Sequence, residues 1–133
     1  MMISTRGRYA LRVMIDLAEH RSDHYIAMKE VAARQEISLK YLERFLPVLV
    51  KSGMIEGQPG KGGGYRLTKE PSAYPIGEIL RLTEGDLAPV ACLCHDAEPC
   101  SKTSECRTIH MWAELNTLVN DYLNHKTLAD LMQ

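Results

Sequence analysis

The sequence has few aromatic residues, no long apolar run and no excess of one charge. Of its 133 residues, 6% are aromatic and 25% are charged, and the formal net charge is −1. No uncharged apolar stretch approaches the ~20 residues that a membrane span requires, so we expect no membrane contact. The first residues, Met1 to Arg8, lack the apolar core and the cleavage site of a signal peptide, and we therefore expect a cytoplasmic protein.

Charge is unevenly distributed along the chain. Residues 1–69 contain 12 Lys or Arg and 7 Asp or Glu, a net charge of +5, whereas residues 70–133 contain 4 and 10, a net charge of −6. The two values add to the total of −1. A basic first half is typical of a surface that faces nucleic-acid phosphates, although chance variation in a short chain is the alternative.

Cysteine is absent except in one segment. All four cysteines lie there beside two histidines, and the six positions are Cys92, Cys94, Cys100, Cys106, His95 and His110. A chain of this length can bury a core without disulfides, and clustered cysteines in a reducing compartment indicate metal or redox chemistry. The residues alone leave four alternatives open: an iron–sulfur cluster, structural zinc, a metal-free thiol switch, or inert thiols.

The first half of the sequence has the pattern of a helix-turn-helix. A first helix, capped by Ser4 or Thr5, is followed by a helix over residues 28–35, a short turn, and a helix that begins after Ser38. In this motif the first turns of the last helix enter the DNA major groove. We therefore predict that DNA is contacted by polar residues of that helix and by two arginines near the chain start, namely Ser38, Lys40, Tyr41, Glu43, Arg44, Arg6 and Arg8.

The inner face of this recognition helix is predicted to be apolar. The residues assigned to it are Leu42, Phe45, Leu46, Leu49 and Val50. Pro47 falls where the helix would continue, and proline in a helix interior removes a hydrogen bond and clashes with the preceding turn. We therefore expect a kink or a break near Leu46, after the turns that face DNA.

Two predicted strands surround a glycine-rich loop immediately after the recognition helix. The strands cover residues 54–57 and 64–67, and a hairpin in this place is the wing of a winged helix-turn-helix. Glycines allow the backbone to approach a phosphate or the minor groove, so we predict DNA contacts at Lys61, Gly62 and Gly63. A nucleotide-binding loop is the alternative, but no GKS or GKT signature follows.

The second half of the sequence is predicted to contain a short helix, an irregular segment and a long amphipathic helix. The short helix covers residues 76–83 and stops at Gly85, and the long one runs from about Glu105 to Leu123. Its apolar face is too broad for one small neighbour, which favours pairing with a second copy over packing in a monomer. Thr127 to Asp130 form a capping box that opens a last turn.

These elements predict a mainly α fold with a small β-hairpin wing. The chain is predicted to have three parts. They are a winged helix-turn-helix domain over residues 1–85, a cysteine-bearing sensor loop over 86–104, and a dimerisation helix with a short C-terminal helix over 105–133.

Five motifs, in order, resemble the Rrf-type winged helix-turn-helix regulators, a family that includes the iron–sulfur regulator IscR, the nitric-oxide sensor NsrR and the cysteine-metabolism repressor CymR. The motifs occupy residues 4–10, 37–43, 62–65, 76–79 and 127–131. The resemblance implies a homodimer that is joined through the long helix and binds a nearly palindromic double-stranded DNA operator. The IscR branch also has an acidic residue at the position of Glu43, where it discriminates between classes of DNA site.

The cysteine spacing is similar to that of the IscR branch. Cys94, Cys100 and Cys106 match its three cluster cysteines, which implies a [2Fe–2S] cofactor. That branch has a histidine as its fourth ligand, but its position is Ile109 in this sequence. His110 and Cys92 are therefore the rival candidates for the fourth ligand, with His95 as a further one.

We predict a homodimeric transcriptional regulator, acting as a repressor, that senses through an iron–sulfur cluster. The alternative is a metal-free regulator of the CymR kind, controlled by thiol oxidation or by a partner enzyme. An enzymatic activity is not expected, because Cys92-Leu93-Cys94 is not the C-x-x-C motif of disulfide oxidoreductases.

Overall fold

The computed structural model of the chain describes residues 3–133, so Met1 and Met2, with the part of the signal-peptide prediction that concerns them, lie outside the described residues. Helices account for most of the regular structure, with one two-stranded hairpin, as predicted. The elements are α1 (Thr5–Glu19), α2 (Met28–Gln35), α3 (Leu39–Leu42), α4 (Leu46–Lys51), β1 (Ile55–Gln58), β2 (Gly64–Leu67), α5 (Ile76–Glu84), α6 (Ile109–His125) and α7 (Leu128–Leu131). Among residues 3–133, no helix is long and apolar enough to cross a membrane.

The helix-turn-helix is formed by α2 and α3. Glu36 ends α2 in the left-handed region, at φ 54°, and the Ile37 N–H then donates to the Ala32 carbonyl. Ile37 is buried, which anchors the turn to the core. Ser38 is the N-cap of α3, as predicted, because its hydroxyl accepts a hydrogen bond from the Tyr41 N–H at 3.1 Å.

The recognition helix is broken where proline predicted a break. The α3 helix ends at Leu42, and α4 begins at Leu46 with Pro47 in its first turn, where a missing N–H costs nothing. The predicted inner face is buried except at Val50. The assignment of Val50 was wrong, because this residue lines the open groove beside the wing and is 41% exposed.

The wing is an antiparallel hairpin tied to the start of α2. Ile55 lies opposite Leu67 and Gln58 opposite Gly64, so β1 begins one residue later than predicted. Tyr65 also exchanges two backbone hydrogen bonds with Ile26, each 2.9 Å long. A side chain at Gly64 would collide with the Ile26 carbonyl, since a Cβ there would lie 2.1 Å from its oxygen.

The core lies between α1, α2, α4, α5 and the base of the hairpin. Tyr74 is fully buried at its centre, and its hydroxyl donates to the Met54 carbonyl at 2.7 Å and accepts from the Thr68 and Lys69 N–H groups. The end of the chain returns to this core. Leu128, the first residue of α7, is buried, and the predicted capping box of Thr127 and Asp130 is present.

The α6 helix begins at Ile109 and not at about Glu105, which corrects the predicted boundary. Thr103–Glu105 form a separate 3₁₀ turn, and the Thr108 hydroxyl lies 3.5 Å from the Cys106 sulfur. The three residues between this turn and α6 are not helical. Residues 86–108, between α5 and α6, are called the cysteine segment below; they contain 3₁₀ turns and no α-helix or strand.

Candidate nucleic-acid interface and candidate metal centre

The start of α1 is held by a carboxylate from α5. One oxygen of Glu84, Oε1, accepts hydrogen bonds from the Ser4 N–H at 2.9 Å, the Ser4 hydroxyl at 2.6 Å and the Gly7 N–H at 3.0 Å. Gly7 has to be glycine for this approach, because a Cβ would lie 2.1 Å from the same oxygen. Arg6 and Arg8, two of the predicted DNA contacts, are exposed in this first turn.

Arg6 lines a surface hollow together with Tyr41 and Arg44 of the helix-turn-helix. We call this hollow the basic hollow. The Tyr41 ring meets Tyr9 edge-on, with centroids 5.4 Å apart, and the Arg44 guanidinium lies 5.7 Å from the Tyr41 centroid. The structure thus brings three predicted DNA contacts together, two of them cationic. Two positive charges beside a phenol suit the binding of a phosphate oxygen.

The other predicted residues of the recognition helix have different environments. Lys40 and Glu43 are exposed and free to reach a DNA groove, whereas the Ser38 hydroxyl is used as the helix cap. Arg8 donates to the Thr5 hydroxyl at 3.1 Å, so its contact with DNA would compete with a local hydrogen bond.

The wing loop is an exposed turn with Lys61 at its tip. Gly60 and Gly62, on either side, have φ values of 90° and 80°. A Cβ at Gly63 would lie 2.0 Å from the Gln58 carbonyl oxygen, so this position excludes larger residues. The nearby Arg66 is engaged elsewhere, since it pairs with Glu56 and stacks on Tyr25 at 4.3 Å.

A groove separates the wing from the recognition helix. Glu43 lies on its helix side and Gly60 on its wing side, and the exposed apolar side chains of Leu39 and Val50 line it between them. Glu43 can therefore face base edges or the sugar–phosphate backbone near the wing.

One buried polar network was not predicted from the sequence. Asp16 is 1% exposed, and its carboxylate receives hydrogen bonds from Nε and Nη2 of Arg34, at 3.0 and 2.7 Å, and from the Gln35 amide at 3.0 Å. Burial by itself would raise the pKa of Asp16, but the hydrogen bonds and the Arg34 charge outweigh it and hold this pKa below its ordinary value. In the sequence, Asp16 is marked only by its apolar neighbours Ile15 and Leu17.

Asp86, the first residue of the cysteine segment, folds the beginning of the segment back on itself. Its two carboxylate oxygens accept from the Ala88 N–H at 2.8 Å and from the His95 N–H at 2.5 Å, and these bonds lower the pKa of Asp86. Leu93 and His95 share a hollow with Asn116 and Asn120, so the first part of the segment lies against α6.

The four thiols are free and differ in exposure. Cys92 and Cys100 are exposed, and Cys94 and Cys106 are half-buried. The Thr108 hydroxyl, followed by the N–H groups of Thr108 and Ile109, lowers the pKa of the Cys106 thiol. A thiolate is favoured there by the start of α6, and a thiolate is the form that binds metals and reacts with oxidants.

The segment does not gather its predicted ligands in one place. Among residues 3–133, no three His, Cys, Asp or Glu side chains are close enough together to hold a metal ion. The donor set nonetheless fits an iron–sulfur cluster in its chemistry, because soft thiolates are the ligands that such clusters require. Closure around a cluster would need the irregular part of the segment to rearrange.

His110 is turned away from the first part of the segment. It is exposed in a hollow formed with Ala113, Glu114, Thr117 and Leu118. Ile109 is half-buried and lies seven residues, about two helical turns, before Asn116, so it shares the α6 face that the segment covers. Ile109, and not His110, thus lies on the face of α6 from which a ligand would have to reach the cysteine segment.

An apolar stripe runs along the exposed side of α6. Met111 is 51% exposed, Leu118 68% and Tyr122 64%, and Leu115 lies between them at 37%. Successive members are four, three and four residues apart, which is the spacing of a seam between paired helices.

Comparison with known proteins decides the family. Residues 3–133 match the Rrf2 family, described as an iron-dependent transcriptional regulator. The chain belongs to the Rrf2 family. It is 38% identical to protein rrf2 of Nitratidesulfovibrio vulgaris over 134 residues, covering 100% of this chain and 88% of that protein. It is 36% identical to the HTH-type transcriptional regulator IscR of Yersinia pseudotuberculosis over 132 residues, covering 99% and 79%.

A solved structure gives the same result for the fold. The structure of CymR, the global cysteine regulator of B. subtilis, superimposes with a TM-score of 0.80 at 34% identity, covering 98% of this chain and 95% of that one. The resemblance and the winged-helix fold inferred from the sequence are therefore confirmed. This Rrf2-family chain is a DNA-binding transcriptional regulator and not an enzyme.

Proposed function

We propose that the chain is a homodimeric regulator, acting as a repressor in the cytoplasm, that binds an operator through α3 and the wing and senses through an iron–sulfur cluster in the cysteine segment. The observation that carries this proposal is the set of free thiols located between the DNA-binding domain and α6, in a member of a family described as iron-dependent.

In this proposal the DNA-reading residues have separate roles. Arg6 and Arg44 hold a phosphate at the basic hollow, and Lys40 contacts a phosphate or a base edge. Glu43 accepts from a cytosine amino group and repels phosphate otherwise, which gives selectivity more than affinity. Lys61, Gly62 and Gly63 bring the wing backbone close to the minor groove.

The homodimer is proposed to form through the stripe on α6. A second copy of the stripe is its natural partner, because exposed apolar residues with coiled-coil spacing bury one another best. Leu118→Glu should convert the protein to a monomer in sedimentation, whereas Leu39→Glu, the same change at an exposed leucine of α3, should leave a dimer. A dimer retained by Leu118→Glu would contradict this interface.

The cluster is proposed to be [2Fe–2S], held by Cys94, Cys100 and Cys106. When bound, it supplies a one-electron redox centre, and its ligation would order the segment. The first part of the segment shares one hollow with Arg81 of α5 and with Asn116 and Asn120 of α6. Its order would therefore act on both the DNA-binding domain and the paired helices.

Anaerobic reconstitution with ferrous iron and sulfide tests this proposal. We expect visible absorbance with equal amounts of iron and labile sulfide, and loss of both when Cys94, Cys100 and Cys106 are replaced by alanine. A changed spectrum in Cys92→Ala would assign Cys92 as the fourth ligand, and one in His110→Ala would assign His110. Absence of iron, sulfide and colour in the wild-type protein would contradict the cluster.

The second candidate function is a metal-free regulator controlled by thiol oxidation or by a partner enzyme. It is favoured by the structural similarity to CymR and by the lowered pKa of the half-buried thiol of Cys106. Here the triple alanine variant should bind DNA as the wild-type protein does under reducing conditions, and only the wild-type protein should respond to a mild oxidant. Zinc bound by the cysteine segment is a further alternative, and metal analysis of the purified protein would detect it.

A further inference from the structure

We propose that Glu84 is a positioning residue for DNA binding: it holds the first turn of α1, and with it Arg6, in the arrangement that binds phosphate, and it connects this turn to the cysteine segment. The proposal rests on the proposed DNA-reading role of Arg6.

The contacts of Glu84 are concentrated on the turn that carries Arg6. Its Oε1 atom accepts from the N–H groups of Ser4 and Gly7, on either side of Arg6, and from the Ser4 hydroxyl. The Ser4 hydroxyl itself accepts from Gly7 at 3.5 Å, a long hydrogen bond for a cap. The carboxylate of Glu84 is therefore the main acceptor for these otherwise unpaired N–H groups, although it lies 80 residues away in the sequence.

The position of Arg6 depends on that turn. The basic hollow is closed on one side by Arg6 and on the other by Tyr41 and Arg44, which are fixed by stacking against their neighbours. If the first turn of α1 frays, Arg6 alone leaves the hollow, and the phosphate site loses one of its two cations.

The same residue lies next to the cysteine segment. Glu84 is the last residue of α5, and Gly85 follows it with φ 82°. Asp86 then accepts the N–H of His95, the neighbour of Cys94. Only Gly85 separates Asp86 from Glu84 along the chain, so a displacement of the first part of the segment would also displace Glu84.

The test is a double-mutant cycle on a DNA duplex that the wild-type protein selects from a random-sequence pool. Glu84→Ala should weaken binding roughly tenfold and lower the slope of log affinity against log salt by about 1 per chain, because one phosphate contact per chain is lost. Arg6→Ala should have the same two effects, and the double variant should be no weaker than either single variant. Glu84→Gln, which keeps an acceptor oxygen, should retain most of the affinity.

The control is Glu78→Ala, which removes the same charge from an exposed position of α5. It should leave the affinity and the salt slope unchanged. A salt slope unaffected by Glu84→Ala, or additive losses in the double variant, would overturn the proposal. An Arg6→Ala variant without effect would overturn it as well, while losses in Lys40→Ala and Arg44→Ala would show that the proposed function survives.

The connection between Glu84 and the cysteine segment is tested with a separate variant, in two backgrounds. Asp86→Ala, which releases the His95 N–H, should weaken DNA binding in the wild-type background and should add nothing in the Glu84→Ala background. No effect of Asp86→Ala in the wild-type background would overturn this part. Circular dichroism and thermal unfolding of each variant would show that the fold is retained.

Discussion

At the basic hollow, Tyr41 and Arg44 are held by ring contacts with their neighbours, whereas in the cysteine segment Cys94 contacts a backbone carbonyl and Cys106 one threonine. Tyr41 packs against Tyr9 and Phe45, and the Arg44 guanidinium lies over its ring, so side-chain packing sets the shape of the basic hollow. Cys94, in contrast, contacts the Val90 carbonyl at 3.9 Å, and Cys106 contacts Thr108. Side chains therefore pack on one another in the first region, and the contacts of Cys94 and Cys106 in the second are local ones.

Two aspartates show the same contrast in their surroundings. Asp16 is 1% exposed and receives three side-chain hydrogen bonds between α1 and α2. Asp86 is exposed and receives two backbone hydrogen bonds at the start of the cysteine segment. Both have a lowered pKa, but only the first is built into the core.

The largest effect is expected from removing the buried aspartate. Asp16→Ala removes the buried acceptor of Gln35 and of Arg34, whose side chain is 35% exposed. The loss of these charge-assisted hydrogen bonds should reduce the free energy of unfolding by about 2 kcal/mol. Urea unfolding measures this change. Asp86→Ala is the matched variant in the other region, and its effect should be much smaller. Equal losses of unfolding free energy in the two variants would show that the two aspartates do not differ in their contribution to the fold.

Asp16 should also contribute to the loss of stability in acid. The folded-state pKa of Asp16 lies below its ordinary value of 3.8, so its contribution is complete above that pH and is lost as the pH falls below it. Asp16→Asn should therefore flatten the loss of stability in acid. Unfolding free energies at neutral pH and near pH 3 test this, and an unchanged slope in the variant would contradict the assignment.

DNA binding should respond to cations of the first region only. Lys40→Ala and Arg44→Ala should each weaken binding of a selected duplex roughly tenfold and lower the salt slope by about 1 per chain, as the loss of a phosphate contact does. Lys102→Ala removes the same charge from the cysteine segment and should change neither quantity. A loss with Lys102→Ala as large as the other two would extend the DNA interface into the segment.

The smallest effect is expected at Cys106. Thr108→Val removes the hydroxyl that contributes most to the lowered pKa of this thiol, so the pKa should rise and the thiolate fraction at neutral pH should fall. Alkylation of Cys106 by iodoacetamide, followed by mass spectrometry, should slow by a factor of a few. Cys100, in the same protein, is the internal control, and equal slowing at both sites would exclude a local effect.

The sequence was sufficient for elements that are determined locally. Residues 28–35 form the predicted helix, Ser38 caps the next one, and Pro47 marks the break, because periodicity, capping and proline chemistry act over a few residues. The capping box at Thr127 follows the same rule. These local signals also fixed the order of elements from which the winged helix was inferred.

Long-range contacts could not be predicted from the sequence. Nothing near Glu84 indicates that it accepts the N–H groups of Ser4 and Gly7, and Asp16 gives no sign of its pairing with Arg34. The exposure of Val50 depends on the groove that the wing leaves beside α4, and the late start of α6 depends on the 3₁₀ turn at residues 103–105. The predicted ligands of the cysteine segment stay a prediction for the same reason, since their meeting depends on tertiary closure.

In the proposed function, the state of the cysteine segment controls DNA binding by the winged helix-turn-helix. The most direct test of this control is an anaerobic titration of a selected duplex with the metal-free protein and with the protein reconstituted with iron and sulfide, in parallel with the variant in which Cys94, Cys100 and Cys106 are alanine. We predict that both forms of the wild-type protein are folded, that reconstitution changes the affinity or the preferred duplex, and that the variant gives one unchanged curve. Identical curves for the two wild-type forms, with iron and sulfide bound, would contradict the account.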